Sequence, residues 1–310
     1  MVKKTLYFGN PAYLSLRNRQ LVIRLPQVEK NGSLSETFKK EAERTFPIED
    51  LGVVILDDRR ITITQGLLEC LAEYNCALIT CDSAHHPTAQ LLPLEGNTLT
   101  GERSRQQVEC PRPLRKQLWQ QTIQAKIANQ AANLECLVGA NNRNMLTWMK
   151  QVRSGDAGNL EARAAAYYWK NIFPEFPGFT RGRDGAPPNN LLNYGYAILR
   201  SVVARSIVAT GLLPSIGIHH HNRNNSFCLA DDIMEPYRPV VDGVVRRLIT
   251  NHENIAELTM DIKRELLSLP TIDVPINGHN RPLMAAVDQT VTSLYKCFVG
   301  EAKSLIYPEL

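Results

Sequence analysis

The stretch GIHHHNRNNSFCLADDIMEPYRP, residues 217–239, concentrates residue types that bind metal ions. Three consecutive histidines, residues 219–221, are followed by Asp231, Asp232 and Glu235. Imidazole together with carboxylate oxygens suits Mg²⁺ or Mn²⁺ better than a structural zinc site, which prefers closed sets of Cys and His. An ion held by few protein groups keeps positions open for phosphate oxygens. The pattern therefore favours metal-assisted chemistry at a phosphorus centre.

The acidic part of this stretch has a local structural prediction of its own. Asp232 and Glu235 are three residues apart and would face the same side of a helix. Ser226 is the predicted N-cap of that helix, and Pro236 predicts that helical geometry ends at Glu235. The ordinary alternative is a solvated acidic pair, since Asp and Glu are mostly exposed. The adjacent histidines are what raise a metal site to an equal alternative.

A further acid lies upstream in SGDAGNLEARAAAYYWKNIF. Glu161 is predicted to open a helix whose other side carries Ala165, Tyr168 and Trp169. Taken alone, Glu161 is an ordinary first-turn glutamate that interacts with the helix dipole.

The elements that must position these residues fall into two regions of the 310-residue chain. Residues 1–95 contain short alternating segments rich in β-formers and one predicted helix, Gln65 to Glu73, and read as a small β-rich domain. Residues 96–112 read as a linker. From residue 113 the apolar period becomes helical, and residues 113–310 are predicted to form a larger all-α domain. The predicted fold class is therefore α+β.

Composition excludes several classes of protein. The chain is 44% apolar and 21% charged, which is typical of a globular protein. No apolar run approaches the roughly 18 residues of a membrane span, and the first residues lack an apolar signal core. The seven cysteines are odd in number and form no C-x-x-C pair, so we expect reduced thiols in an intracellular, soluble protein.

Positive charge is concentrated in the middle of the chain. Residues 141–250 carry 13 Lys and Arg against 8 Asp and Glu, and 11 of those 13 cations are arginine. The planar arginine fork matches phosphate oxygens, so this region fits a phosphate-rich partner. A solvated helical surface with salt bridges is the alternative.

Three segments in this order, GNLEARAAAYYW, LNYGYAILR and GIHHHNRNNSFCLADDIMEPYRPVVD, resemble the CRISPR-associated spacer-acquisition integrase family, the metal-dependent subunit of the adaptation complex. LNYGYAILR with LADDIMEPYRPVVD most resembles the type II subfamily, which accompanies a single-protein, RNA-guided effector nuclease. The layout of a β-rich start and a helical domain covers the whole chain. The specific motifs lie between about residue 155 and residue 242.

The resemblance implies a ligand set for Mg²⁺ or Mn²⁺. Glu161 in GNLEARAA matches the family's first ligand, and His220 is the fourth residue of the family tetrapeptide G-(I/F)-x-H. Glu235 in DIME matches the third ligand, and Asp232 becomes a residue behind the ligands or an alternative ligand.

The triple histidine departs from the family pattern. A register error of one residue would make His219 or His221 the ligand instead of His220.

The implied activity is DNA integration, in which a pre-spacer 3′-hydroxyl attacks a phosphodiester at the repeat of a CRISPR array by metal-assisted transesterification. The implied partners are double-stranded DNA, a second copy of the chain held through the β-rich domain, a small adaptation protein that completes a heterohexamer, and the effector nuclease, all in a prokaryotic cytoplasm. Candidate DNA contacts are Asn193, Arg200, Arg223 and Arg238. Tyr194 beside them is at least as well explained by core packing.

Two other functions stay open from the residues. The run HHHNRNN superficially resembles a metal-dependent hydrolase of the HNH type, which would need a ββα frame around its histidines. A non-catalytic DNA-binding scaffold with the same fold is the second alternative.

Overall fold

A computed structural model describes residues 3–94, 96–182 and 185–310. The chain forms two compact units, residues 1–96 and residues 97–310. The predicted order, a small β-rich part followed by a larger and mostly helical part, is confirmed. Within the described residues, no helix combines the length and apolar character needed to cross a membrane.

Among its described residues, the first unit contains eight strands and three helices. The strands are β1 (Lys4–Phe8), β2 (Tyr13–Arg17), β3 (Gln20–Arg24), β4 (Arg44–Pro47), β5 (Leu51–Leu56), β6 (Thr62–Ile63), β7 (Ala77–Cys81) and β8 (Pro87–Leu91). The helices are α1 (Pro26–Glu29), α2 (Glu36–Glu41) and α3 (Gln65–Glu73), and a 3₁₀ turn spans Ile48–Asp50. The helix predicted at Gln65 to Glu73 is confirmed with both bounds.

These strands form two four-stranded sheets, in the orders β1-β5-β7-β8 and β4-β3-β2-β6. Strands β1, β5 and β7 pair in parallel. Strand β5 reads LGVVIL and its first five residues are buried, as expected for a central parallel strand covered on both faces. Helix α3 adds Leu67 and Leu71, both fully buried, to the core of this unit.

The second unit contains nine helices and one hairpin among its described residues. The helices are α4 (Thr100–Glu109), α5 (Arg112–Val138), α6 (Arg143–Gln151), α7 (Leu160–Asn171), α8 (Asn189–Ala209), α9 (Cys228–Met234), α10 (Arg238–Asn251), α11 (Met260–Leu267) and α12 (Leu283–Phe298). Three 3₁₀ turns span Ser154–Asp156, Glu235–Tyr237 and Leu269–Thr271, and the hairpin is β9 (Asp273–Ile276) with β10 (His279–Pro282).

The 27-residue helix α5 organises this unit. It starts after Pro111 with Pro113 in its first turn, where the missing N–H is not needed, and it ends at Gly139 with φ 62°. Its buried side includes polar residues as well as apolar ones. Asn129 Nδ2 donates to the carbonyls of Pro236 (2.8 Å) and Pro308 (2.9 Å), and Asn133 Nδ2 donates to that of Pro239 (2.7 Å). The two asparagines thus tie the backbone after Glu235 to α5.

Two sequence expectations differ from the structure here. The segment 96–112, expected as a linker, contains the ten-residue helix α4. Its sequence TGERSRQQVE is almost wholly polar, so it lacks the apolar period by which a helix is recognised. The region 113–310, expected to be all-α, includes the hairpin β9–β10. Its turn residues Asn277 and Gly278 have φ of 51° and 74°, as the two central residues of a type I′ turn require.

Candidate metal centre

The three predicted ligands come from separate elements of the second unit. Glu161 lies in the first turn of α7, and Glu235 directly follows α9. His220 lies in the loop between α8 and α9.

The start of α7 is fixed by Asp156, which the sequence analysis did not single out. The backbone N–H groups of Leu160 and Glu161 donate to the two carboxylate oxygens of Asp156, at 2.9 Å and 3.0 Å. Helix starts leave such amides unpaired, and a negative charge is favourable at this end of a helix. Asp156 therefore sets the position from which the Glu161 side chain extends.

The predictions for the helix before Glu235 are wrong in two details. The N-cap of α9 is Phe227 rather than Ser226, because Asn225 accepts the Phe227 N–H (2.9 Å) and forms the turn instead. Glu235 keeps helical geometry (φ −53°, ψ −47°) although Pro236 follows it. Pro236 falls in the first turn of the 3₁₀ segment that leads into α10, a position that does not need its N–H.

Glu235 is 6% exposed and contacts a cation with each carboxylate oxygen. Lys126 Nζ lies 2.6 Å from Oε2, and Arg238 Nε lies 2.9 Å from Oε1. Burial opposes the negative charge, but Arg238 and Lys126 outweigh it, so the pKa of Glu235 falls to about 2. The group is a carboxylate at every physiological pH.

Lys126 on α5 also contacts the other predicted acidic ligand. Its Nζ donates to Glu161 Oε1 at 2.5 Å, so one ammonium joins Glu161 to Glu235. Burial opposes the charge of Lys126, yet the carboxylates of Glu235 and Glu161 raise its pKa. Nothing in the local sequence singles out Lys126, which reads as one polar residue in an amphipathic helix.

His220 is oriented by Asp232. Its Nδ1 lies 2.5 Å from Asp232 Oδ1, and this hydrogen bond raises the pKa of the imidazole. Asp232 is fully buried and also accepts the backbone N–H groups of His219 (2.9 Å) and His220 (3.2 Å). With Nδ1 on the carboxylate, Nε2 is the nitrogen that His220 has left for a ligand bond, which is the arrangement usual for histidines that bind metals.

Gly217 at the start of this loop has a steric role. A Cβ there would come within 2.5 Å of the His220 carbonyl oxygen and 2.6 Å of Asp232 Oδ2. Only glycine fits between the loop and the carboxylate that orients His220. This gives a physical reason for the glycine of the G-(I/F)-x-H tetrapeptide.

The other two histidines of the run have different side-chain contacts. The His219 ring stacks on Trp119 of α5 with centroids 4.1 Å apart and planes within 1°, and partial burial lowers its pKa. His221 is exposed and, with His219, lines a cavity of about 600 Å³. The cavity has a basic wall that the sequence analysis missed, made by Arg112, Arg115 and Lys116.

The three arginines among the candidate DNA contacts differ in exposure and in their ion-pair partners. Arg238 pairs with Glu235, its guanidinium lies over the ring of Tyr196 at 4.6 Å from the centroid, and its side chain is 25% exposed. Arg200 is more exposed, at 41%, and donates to Asp231 Oδ1 at 2.7 Å. Arg223 is exposed in the loop before α9.

The remaining candidate, Asn193, is partly buried, and its neighbour Tyr194 lies in the core. Asn193 Oδ1 accepts a hydrogen bond from Arg181 (2.7 Å), and Tyr194 is fully buried in α8. The core interpretation of Tyr194 is therefore the better one.

A second buried carboxylate, Asp242, is linked to Arg238 through Tyr196. Asp242 accepts hydrogen bonds from Tyr168 (2.9 Å) and Tyr196 (2.5 Å). Burial raises the pKa of Asp242 to about 6, since the two phenols only partly offset the loss of water. Tyr196 thus joins Asp242 to Arg238 through its hydroxyl and its ring.

The donor set fits a divalent ion chemically. Two carboxylates and one imidazole in its neutral form suit Mg²⁺ or Mn²⁺. The ammonium between the carboxylates marks a place where positive charge is stabilised. Among the described residues, no three His, Cys, Asp or Glu side chains converge closely enough to form a finished ligand set. Glu161 and Glu235 meet on Lys126 instead.

Comparison with solved structures defines the class of fold. A structure described as "Casposase bound to integration product" superposes with a TM-score of 0.76 over 98% of this chain and 92% of that chain, at 22% identity. A second, "Cas6-RT-Cas1--Cas2 complex", gives a TM-score of 0.74 over 100% of this chain and 36% of that chain, at 19% identity. The fold is therefore the one shared by Cas1 proteins and casposases.

Sequence comparison then identifies the family. The model for "CRISPR associated protein Cas1" matches residues 7–264. "CRISPR-associated endonuclease Cas1" of Neisseria meningitidis serogroup C (strain 8013) is 37% identical over 100% of this chain and 97% of that protein. This chain belongs to the Cas1 family, and the family predicted from the three motifs is confirmed.

Proposed function

We propose that this chain is a metal-dependent DNA integrase of CRISPR adaptation, of the type II branch, which joins pre-spacer DNA to the repeat of an array by transesterification. The observation that carries the proposal is the meeting of Glu161 and Glu235, which lie 74 residues apart in sequence, on one ammonium group beside the oriented His220. The casposase and Cas1 folds, and the endonuclease named in Neisseria, support it.

Glu161, Glu235 and Nε2 of His220 are the groups that would hold Mg²⁺ or Mn²⁺. When bound, the ion supplies Lewis-acid polarisation of the phosphodiester and lowers the pKa of the attacking 3′-hydroxyl. Asp232 acts behind the site, because its hydrogen bond to Nδ1 keeps the imidazole ring in one orientation. Asp156 does the same for Glu161 through the first turn of α7.

DNA would be bound mainly through its phosphates, beside the site. The cavity wall of Arg112, Arg115 and Lys116, together with Arg200 and Arg223, supplies cations on the second unit. Phosphate binding of this kind gives strong salt dependence and little sequence preference. Arg238 is better assigned to Glu235 than to DNA, since its guanidinium is committed to that carboxylate and to Tyr196.

The assembly in this proposal is a homodimer held through the β-rich unit, completed by a small adaptation partner as a heterohexamer. Support comes from the similar fold in the Cas6-RT-Cas1–Cas2 complex. The RNA-guided effector nuclease is a further proposed partner, and the prokaryotic cytoplasm, where the array resides, is the proposed location.

A strand-transfer assay tests the function. Supercoiled plasmid is incubated with Mn²⁺ and a labelled oligonucleotide that has a free 3′-hydroxyl, and joining of label to plasmid is measured. Glu161→Gln and Glu235→Gln are expected to lose joining by more than about 100-fold, because loss of groups behind a metal ligand already costs about 10–100-fold. DNA binding measured without a divalent ion should be retained.

Glu102→Gln is the matched control, since Glu102 is also a first-turn glutamate, in α4. Plasmid cleavage without joining by the unmodified protein would favour the hydrolase instead. The HNH type of hydrolase has little support, because the elements on both sides of the histidines, α8 and α9, are helices. Retained DNA binding without any joining by the unmodified protein would favour the scaffold, and normal joining by both glutamate variants would show that the ligand assignment is wrong.

A further inference from the structure

Lys126 has a position that neither the sequence nor its family resemblance assigns. Its side chain comes from α5 and is 9% exposed. Its ammonium contacts Glu161 Oε1 at 2.5 Å and Glu235 Oε2 at 2.6 Å. These two acids are the proposed carboxylate ligands, so a protein cation already lies between them.

The carboxylate oxygens around the ammonium are spaced much as they would be around a divalent ion. Given the two contact distances, the carboxylate oxygens lie no more than about 5 Å apart, whereas two oxygens on opposite sides of Mg²⁺ lie about 4 Å apart. An ion that both carboxylates ligate must therefore lie close to where Nζ lies. The ammonium and the ion compete for the same space.

The charges lead to the same conclusion. Lys126 and Arg238 balance Glu161 and Glu235, so these four side chains sum to zero. A divalent ion added beside an unmoved Lys126 would leave two excess positive charges among largely buried groups, which is unfavourable. Either the ammonium is displaced, or an anion such as a DNA phosphate neutralises the excess.

We propose that Lys126 is a built-in competitor for the divalent ion, which keeps metal binding by the free protein weak and makes DNA strengthen it. The inference rests on the proposed function, because it takes Glu161 and Glu235 as the ligands. By reciprocity, the ion strengthens DNA binding by the same factor. Lys126 thereby links loading of the metal to the presence of the phosphate on which it acts.

Isothermal titration calorimetry with Mn²⁺ on the full chain tests this, with and without a short duplex that carries 3′ overhangs. In the unmodified protein, DNA should strengthen Mn²⁺ binding by a factor within the usual range of coupling, about 5–150-fold. In the absence of DNA, Lys126→Met should bind Mn²⁺ about tenfold tighter than the unmodified protein, a change within that range of coupling. DNA should strengthen Mn²⁺ binding by a smaller factor in Lys126→Met than in the unmodified protein. Lys126→Arg keeps the charge and should keep the weak affinity.

Thermal unfolding supplies a readout that does not depend on activity. In EDTA, Lys126→Met should unfold at a lower temperature than the unmodified protein, because two carboxylates lose their shared cation. Mn²⁺ should raise its unfolding temperature by more than it raises that of the unmodified protein. Lys263→Met is the control, since Lys263 is also buried, at 4% exposure, but on α11.

The outcomes separate this inference from the proposed function. No Mn²⁺ binding by the unmodified protein, even with DNA, overturns both. Mn²⁺ binding that Lys126→Met leaves unchanged or weakens overturns the competitor role alone. If Lys126→Met does not fold, the unmodified protein still decides, because Mn²⁺ affinity that is indifferent to DNA contradicts the proposal.

Discussion

Each unit of the chain places one histidine against a fully buried aspartate. In the β-rich unit His85 Nδ1 lies 2.8 Å from Asp57, and in the helical unit His220 Nδ1 lies 2.5 Å from Asp232. Both histidine side chains are about half exposed, at 57% and 47%. The two pairs are therefore alike in geometry and burial, and they differ in what surrounds them.

The acids near His85 are used by their own loops. Asp58 accepts from Arg60 two residues later (2.8 Å from the backbone N–H), and Asp82 accepts the N–H groups of Ala84 (2.8 Å) and His86 (2.9 Å). Asp57 itself takes a hydrogen bond from the phenol of Tyr7. These carboxylates stabilise turns at the carboxyl ends of β5 and β7.

Around His220 the acids come from distant elements. Glu161 on α7 and Glu235 after α9 face one ammonium, and Glu235 is close enough to help raise the pKa of His220. An aspartate that orients a histidine is thus common to both units. Around His220, carboxylates from separate helices also converge, and it is this convergence that a metal centre needs.

The largest expected effect is on strand transfer by the two histidine variants. His220→Ala should lose joining by more than about 100-fold, whereas His85→Ala should stay within about twofold, since its imidazole has no proposed ligand role. The plasmid-joining assay measures both. Equal losses in the two variants would end the distinction between the pairs.

The next effect concerns the two aspartates. Asp232→Asn should reduce Mn²⁺ affinity and joining by about 10–100-fold, because it weakens the orientation of His220. Asp57→Asn should leave Mn²⁺ affinity unchanged and lower the free energy of unfolding by about 1–3 kcal/mol, since a buried charged hydrogen-bond acceptor is lost. Calorimetry and urea unfolding separate the two results. An Asp57→Asn variant with impaired Mn²⁺ binding would contradict the comparison.

A smaller effect is expected at the glycine that fits beside Asp232. Gly217→Ala should lower the free energy of unfolding by about 1–3 kcal/mol, because its Cβ would overlap the His220 carbonyl and the Asp232 carboxylate. Urea unfolding gives the value, and Mn²⁺ affinity should fall with it. Gly32→Ala serves as the control, since a Cβ there meets no atom within 4 Å. A neutral Gly217→Ala would remove the steric account of this loop.

The smallest effect concerns the neighbouring histidine. His219→Ala should lower the free energy of unfolding by about 0.5–1.5 kcal/mol through loss of the stack on Trp119. Its Mn²⁺ affinity should equal that of the unmodified protein. Loss of Mn²⁺ binding in His219→Ala, with binding retained in His220→Ala, would move the ligand by one residue.

The sequence pointed to the acids and histidines of the candidate site, but not to the residues that position them. It placed Glu161 at the start of a helix and chose His220 from three candidates by its motif, and the structure gives His220 the oriented ring. Both choices came from the resemblance to the family motifs, since Glu161 taken alone reads as an ordinary first-turn glutamate. The roles themselves remain predictions that the variants above test.

The residues that position the candidate ligands could not be predicted from the sequence, because their contacts are with residues elsewhere in the chain. Lys126, Asp156 and Asn129 are ordinary polar residues in their local sequence, and their importance comes from partners 35, 5 and 107 residues away. The hairpin turn Asn277–Gly278 was the exception, since its sequence signal was present and was overlooked. The error at Pro236 arose because a proline that ends one helix also suits the first turn of the next.

The spacing of residues along α5 has a consequence for how this helix tolerates change. Trp119, Lys126 and Asn133 are seven residues apart, close to two full turns, and they reach His219, the two acids and the Pro239 carbonyl from one side. Inserting a single residue after Trp119 would rotate the rest of that side by about 100° relative to the indole. Helix α5 therefore sets the relative positions of these contacts around the site. Substitutions along it should be tolerated far better than any insertion or deletion.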